Sequence, residues 1–399
     1  MGHTEKPVMA AMANSGVSRR AFMKYCASLA SLFALPANAA DELVTRLQAT
    51  RRQPVIWLSC QECTGCTESL TRSAAPSLES LLFNFISLDY HHTLMAAAGT
   101  AAEAARRQTL EQDHGRFLLI VDGSVPVLPG YSTIAGRDNL EMLRECLQGA
   151  AAVIALGSCA AFGGLPAAQP NPSGAQGLAS MMQDGLVPKR PLVNLPGCPP
   201  IPAVIGGLLA HYLAFGRFPQ IDGQHRPTVF YGHTVHQRCS RYHYYREHKF
   251  AERFDDEGAR RGWCLYKLGC RGPDTHNACA TLKWNNATGS PIDAGHPCIG
   301  CSEPDFWDRG GFYRRPATAV DGVVAGDTGT DLDSGRALYQ EKCSGCHGAE
   351  PGALNTPAEG VAEVLRSGAV RSHRALEFDD RQLQQLQSWL RSLGDGLGR

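Results

Sequence analysis

The chain has 399 residues, a formal net charge of zero and 43% hydrophobic content, ordinary for a soluble globular protein of two or three domains. The balanced charge gives no basic footprint for nucleic acid and no electrostatic anchor for a membrane surface. The 15 cysteines exceed what a core of this size uses, and their short-spaced groups favour metal ligation over a disulfide scaffold.

The first predicted element is an export signal over residues 1–39. Ser18-Arg19-Arg20-Ala21-Phe22-Met23-Lys24 is a twin-arginine pattern, an apolar stretch runs from Tyr25 to Leu35, and Ala37-Asn38-Ala39 is a small-residue cleavage site. The stretch is too short to span a bilayer. The signal is expected to be removed, leaving a periplasmic chain that is soluble or held at a membrane by a partner. Residues 53–220 alternate apolar runs with helical patterns. Strands are predicted at Val55–Ser59, Leu82–Leu88, Phe117–Asp122, Ala152–Leu156 and Leu192–Leu195, with helices at Asn139–Gln148 and Ala203–Phe215 among those between them. This alternation predicts a doubly wound parallel sheet. Residues 221–315 are rich in Gly, Pro, His, Arg and Trp and predict a loop-rich domain held by metal. Residues 316–333 read as a linker. Residues 334–394 predict a small helical domain closing with an amphipathic helix over Asp380–Leu393, which puts Leu383, Leu386, Trp389, Leu390 and Leu393 on one face.

The cysteines fall at telling places. Cys63 and Cys66 follow the first strand, Cys159 the fourth and Cys198 the fifth. Ligands gather outside the carboxyl ends of the strands in an open parallel sheet, so three strand ends can bring these four thiols to one point. Four thiolates suit a 4Fe–4S cluster, and spacing alone also permits zinc. A second group is His236, Cys239, Cys264 and Cys270, in which a neutral imidazole replaces one thiolate. The third, Cys279, Cys298 and Cys301, has three sulfurs and suits a 3Fe–4S cluster; Pro291 in the same stretch cannot ligate. Clusters are built in the reducing cytosol, and twin-arginine export carries folded proteins, so the signal and the thiols agree.

Cys343-Ser344-Gly345-Cys346-His347 is the C-x-x-C-H sequence of covalent c-type haem attachment, with His347 as one axial ligand. No methionine follows Met182, no lysine follows Lys342, and the one histidine after His347 is His373, so His373 is predicted as the second axial ligand. Cys26 lies in the signal, while Cys60 and Cys146 are left without a set.

Several segments resemble nickel–iron hydrogenase small subunits: Val55-Ile56-Trp57-Leu58 with Glu62-Cys63-Thr64-Gly65-Cys66-Thr67-Glu68-Ser69, Gly157-Ser158-Cys159-Ala160, Gly197-Cys198-Pro199-Pro200, Cys264 to Cys270, and Ala294 to Pro304. The resemblance runs over about residues 53–310. It implies a flavodoxin-like doubly wound parallel sheet followed by a loop-rich iron–sulfur domain, here joined to a small all-α cytochrome c domain. It further implies a proximal 4Fe–4S cluster on Cys63, Cys66, Cys159 and Cys198, facing the nickel–iron site of a large subunit. A medial 3Fe–4S cluster on Cys279, Cys298 and Cys301 and a distal 4Fe–4S cluster on His236, Cys239, Cys264 and Cys270 follow from it, with Pro291 in the place of a fourth medial cysteine. Oxygen-tolerant members carry two more proximal cysteines where this chain has Gly65 and Gly164, which implies a standard proximal cluster. Glu62 and Thr64 resemble residues near the family's proton route. The function expected is electron transfer from H2 oxidation in the large subunit, through the clusters and haem, to an external acceptor such as a cytochrome. Two rivals are the iron–sulfur subunit of a quinone reductase, which lacks the His236 module, and a free-standing iron–sulfur and haem carrier.

Overall fold

The computed structural model describes residues 19–33, 39–49, 52–73, 77–308, 312, 329–347, 361–367 and 378–392. The chain divides into two compact units, Met1–Arg314 and Arg315–Arg399.

In the first unit the strands are β1 (Gln53–Ser59), β2 (Ile86–Tyr90), β3 (Leu118–Asp122), β4 (Ala152–Leu156) and β5 (Leu192–Leu195). They form one parallel sheet in the order β2-β1-β3-β4-β5, the flavodoxin-type order. Strands β3, β4 and β5 are buried at every position, as strands covered on both faces must be. Alternate residues serve opposite faces: Trp57, Ile120, Ile154 and Val193 enter one apolar cluster, while Ile56, Leu58, Leu119, Val121 and Val153 enter the other.

The crossover elements of this unit are labelled α1 (Arg19–Leu32), α2 (Ala39–Ala49), α3 (Gly65–Thr71), α4 (Gly99–Gln112), α5 (Asn139–Gly149), α6 (Gly157–Phe162), α7 (Leu178–Gln183) and α8 (Pro202–Phe215). Helix α8 is apolar nearly all round and is buried along most of its length, starting with Pro202 at its first turn and ending at Gly216 in the left-handed region. It is the buried helix expected from Ala203–Phe215.

One strand differs from expectation. Leu81–Phe85 is a π-helical turn and the strand begins only at Ile86, which pairs with Gln53. Arg52 explains the stop: its guanidinium donates to Leu82 O at 2.6 Å and to Ile86 O at 2.8 Å, taking carbonyls the turn leaves open. Leu81 and Phe85 are both buried, which is why the run reads as a strand by apolarity alone.

Within the predicted signal, α1 places Phe22, Cys26, Leu29 and Ala30 at i, i+4, i+7 and i+8 on one buried face. Phe22 stacks on Phe85 at 6.3 Å, Phe33 meets His211 of α8 at 4.7 Å, and burial pushes the Cys26 thiol up to about 12. In the full-length chain this segment therefore packs on the body of the unit. Ala37 and Asn38 of the expected cleavage site lie outside the described residues.

The second unit contains α9 (Gly329–Lys342), α10 (Ser344–His347), α11 (Val361–Ser367) and α12 (Asp380–Ser392). Tyr339, Leu386, Trp389 and Leu390 form its buried cluster, with the Tyr339 and Trp389 rings 5.1 Å apart. Gly335 makes the close approach possible, since a Cβ there would lie 2.6 Å from Trp389 Cβ. Among the described residues no helix is long and apolar enough to cross a membrane.

Candidate metal centres

The carboxyl edge of the sheet gathers the first thiol set. Cys63 and Cys66 lie at the start of α3 beyond β1, Cys159 sits in α6 beyond β4, and Cys198 follows β5. Cys66 Sγ points at the end of β4, 3.8 Å from Leu156 O. Burial, with Cys198, Asp122 and Cys63 adding to it, pushes Cys159 up to about 12, and burial with Asp122, Cys159 and Cys198 raises Cys66 well above its usual range. Glycines line the space between them. A Cβ on Gly157 would stand 2.6 Å from Cys66 Sγ, and one on Gly65 would stand 3.1 Å from Cys63 Sγ. Gly164 likewise lies against Cys159 Sγ. This is a cradle cleared of side chains, with Cys63 and Cys198 open to the surface.

Around it, Glu62 accepts the Thr64 backbone N–H and faces His92 Nε2 at 3.6 Å, and burial raises its carboxyl. Thr64 itself is exposed at φ 66°. The sequence reading passes over Asp122, the polar end of an otherwise apolar strand. Asp122 is 1% exposed, its Oδ2 has no partner, and burial pushes its carboxyl up to about 7 beside Cys66. Cys60 is held by its N–H to Asp122 O at 2.8 Å and burial pushes its thiol up to about 12; Cys146 is fully buried under Arg106.

Cys279, Cys298 and Cys301 come together next. Burial, with Cys298 adding to it, pushes Cys279 up to about 12, and burial with Cys279 and Cys298 raises Cys301 well above its usual range. The buried indole N–H of Trp284 has no hydrogen-bond partner of its own and favours the ionised form of Cys279. A second feature that sequence reasoning misses anchors this loop. Arg226, 5% exposed, pairs with Asp222 Oδ2 at 2.8 Å and Glu303 Oε1 at 2.9 Å, and Glu303 also accepts the His276 N–H at 2.6 Å.

His236, Cys239, Cys264 and Cys270 line one pocket with Leu265, Tyr266 and Ile292. Tyr242 and Tyr245 stand edge-on to the His236 ring at 4.9 and 4.5 Å, and burial lowers the imidazole's pKa, which favours its neutral form. Arg241 N–H donates to Cys239 Sγ at 3.4 Å. Among the described residues no three His, Cys, Asp or Glu side chains close tightly enough to grip one metal ion. Zinc needs four donors within about 2.3 Å of a single point, whereas an iron–sulfur cluster spreads its sulfur ligands around a larger body.

In the second unit, α10 places Cys343, Cys346 and His347 on one turn, with His347 N–H donating to Cys343 O at 3.0 Å. Cys343 packs against the Tyr339 and Trp389 cluster while Cys346 is exposed. His373 lies outside the described residues.

Known proteins share this geometry. The C-terminal family model of the NiFe/NiFeSe hydrogenase small subunit matches residues 231–314, and that of the NADH ubiquinone oxidoreductase 20 Kd subunit matches residues 63–212. The uptake hydrogenase small subunit of Azotobacter vinelandii is 44% identical over 309 residues, 77% of this chain and 85% of the relative. The chain belongs to the NiFe hydrogenase small subunit family. The quinone-reactive Ni/Fe-hydrogenase small chain of Wolinella succinogenes is 43% identical over 323 residues, 78% of this chain and 90% of that one. Among solved structures, the NiFeSe hydrogenase of Dm. baculatum aligns with a TM-score of 0.61 and 33% identity, over 66% of this chain and 99% of its own. Small subunits of this family carry iron–sulfur clusters and pair with a large subunit that holds the catalytic site. The match to residues 231–314 spans the His236 module, which separates this chain from the quinone-reductase rival.

Proposed function

We propose that this chain is the electron-transfer subunit of a periplasmic NiFe hydrogenase, taking electrons from H2 oxidation in the large subunit to a covalent haem and an external acceptor. Cys63, Cys66, Cys159 and Cys198 hold the proximal 4Fe–4S cluster at the face that meets the large subunit. Cys279, Cys298 and Cys301 hold the medial 3Fe–4S cluster, and His236, Cys239, Cys264 and Cys270 the distal 4Fe–4S cluster. Cys343 and Cys346 attach the haem, with His347 and His373 as axial ligands. Loss of methionine ligation leaves this haem at a lower potential. Residues 1–39 direct twin-arginine export, 316–333 are the linker, and 334–394 form the cytochrome c domain.

The carrying observation is the meeting of four thiols from three strand ends in a glycine-lined cradle whose outer members, Cys63 and Cys198, reach the surface. When bound, the clusters and haem accept and release one electron at a time. The chain's own residues do the rest. Burial keeps water from the thiols, and an N–H donor such as Arg241 N favours the ionised ligand against the rise that burial causes. Glu62, which accepts the Thr64 N–H, and the exposed Thr64 are the proton-route residues of this reading.

The test is anaerobic purification of the native complex. Expected are a copurifying large subunit, iron well beyond one atom per chain, and haem absorbance that is reduced by H2. Zinc in place of iron, or a monomer with no large subunit and haem unresponsive to H2, would refute the reading.

A further inference from the structure

We infer that Ser158 is a positioning residue whose hydroxyl locks the spacing between the proximal and medial ligand sets. The inference rests on the cluster assignments proposed above. Ser158 is 1% exposed in the first turn of α6, just beyond β4 and immediately before Cys159. Its Oγ accepts the Gly197 N–H at 2.9 Å and donates to Cys301 O. Its own N–H donates to Gly197 O at 3.0 Å. Gly197 directly precedes Cys198.

One side chain thus ties three cysteine-bearing loops, two from the proximal set and one from the medial set. A hydroxyl has one proton to donate, and here that proton goes to the medial loop while the lone pair holds the proximal loop. The contact is close on every side. Gly197 sits at φ +143° and a Cβ there would lie 2.8 Å from Pro200 Cα, so the turn that presents its N–H and C=O to Ser158 requires glycine. Other ties to the medial loop, Ser302 Oγ to His276 O at 2.8 Å and Arg226 to Glu303, come from neither proximal cysteine loop and do not set its distance from Cys159 and Cys198. Electron transfer between two centres falls steeply with their separation, so a tie of this kind acts on the relay without touching either iron.

The experiment uses the purified complex with Ser158→Ala, Ser158→Thr, Ser158→Val and, as a control on the same loop, Ser302→Ala. Two quantities are read: iron content, and the splitting that the reduced proximal cluster's EPR signal takes from its paramagnetic medial neighbour. The expected result is full iron in all four. The wild-type splitting should be kept in Ser158→Thr and Ser302→Ala and lost or smeared in Ser158→Ala and Ser158→Val, with slower H2-driven haem reduction in the same two. Ser158→Ala with full iron and unaltered splitting overturns the inference. Loss of iron in Ser158→Ala and Ser158→Val, but not in Ser158→Thr, also overturns it, by assigning the hydroxyl to cluster retention rather than spacing. Absence of cluster iron from the wild type would instead sink the functional reading on which the inference stands.

Discussion

His91 provides a stability test that needs no metal to interpret. The ring is fully buried, and its Nδ1 accepts two backbone N–H groups, Thr93 at 3.1 Å and Leu94 at 3.2 Å. The proton must then sit on Nε2, which donates to Thr67 Oγ1 at 3.3 Å, one residue beyond Cys66. Charging this ring would bury a cation, turn the acceptor away from two N–H groups and oppose His92, whose ring is 6.1 Å off. Burial, with His92 adding to it, lowers the pKa from 6.5 to about 4. A histidine with a lowered folded pKa binds fewer protons folded than unfolded between those values. Its contribution is complete above about 6.5 and is lost as pH falls toward 4. The gap of about 2.5 units corresponds to about 3 kcal/mol. His91→Asn keeps an acceptor near the Nδ1 position and removes the titration. Denaturant unfolding of wild type and variant from pH 7.5 to 4.5 should show the wild type ahead at neutral pH and the difference shrinking below 6.5. A difference that stays constant across that range would refute the reasoning.

Gly157→Ala should cost about 1–2 kcal/mol for the left-handed backbone alone, and the added methyl meets Cys66 Sγ. Selective loss of the proximal EPR signal checks it, and full iron with an unchanged melting temperature would count against the cradle. Arg226→Met strands Glu303 and Asp222 and should cost about 3–5 kcal/mol in urea unfolding. Adding Glu303→Gln should recover part of that loss, because it removes one of the stranded charges. Chelation of the iron should remove hydrogen-exchange protection from residues 231–308 before it affects β1, β3 and β4; equal loss in both would contradict the idea that metal holds the module.

The doubly wound sheet is legible in the sequence because its central strands are short apolar runs with no polar face to confuse the period. The gathering of Cys63, Cys66, Cys159 and Cys198 at one sheet edge is legible because each stands shortly after such a run. What escapes is set by pairings across long stretches of chain. Nothing local to Arg226 announces Glu303, and nothing local to Ser158 announces Cys301. Asp122 leaves a faint trace, a carboxylate closing the run Leu118 to Val121, and the His91-His92 pair after β2 leaves another. Apolarity starts the second strand too early because Leu81 and Phe85 are apolar for a helical reason, one turn apart on a buried face.

The two kinds of candidate centre in the first unit differ in what holds their ligands apart. At the proximal set, strand ends fixed by ladder pairing from Val55 to Leu195 carry the cysteines, and the geometry exists before any metal arrives. The distal set has no such frame. Its apolar cluster consists of Val235, Ala251, Leu265, Leu268 and Ile292, and the residues packed against that cluster include its own Cys239 and Cys270, with Cys298 of the medial set beside them. Ligands that double as core cannot be held in place by a core. On the proposed reading their order comes from the cluster they bind, which agrees with this module's weak periodicity in sequence.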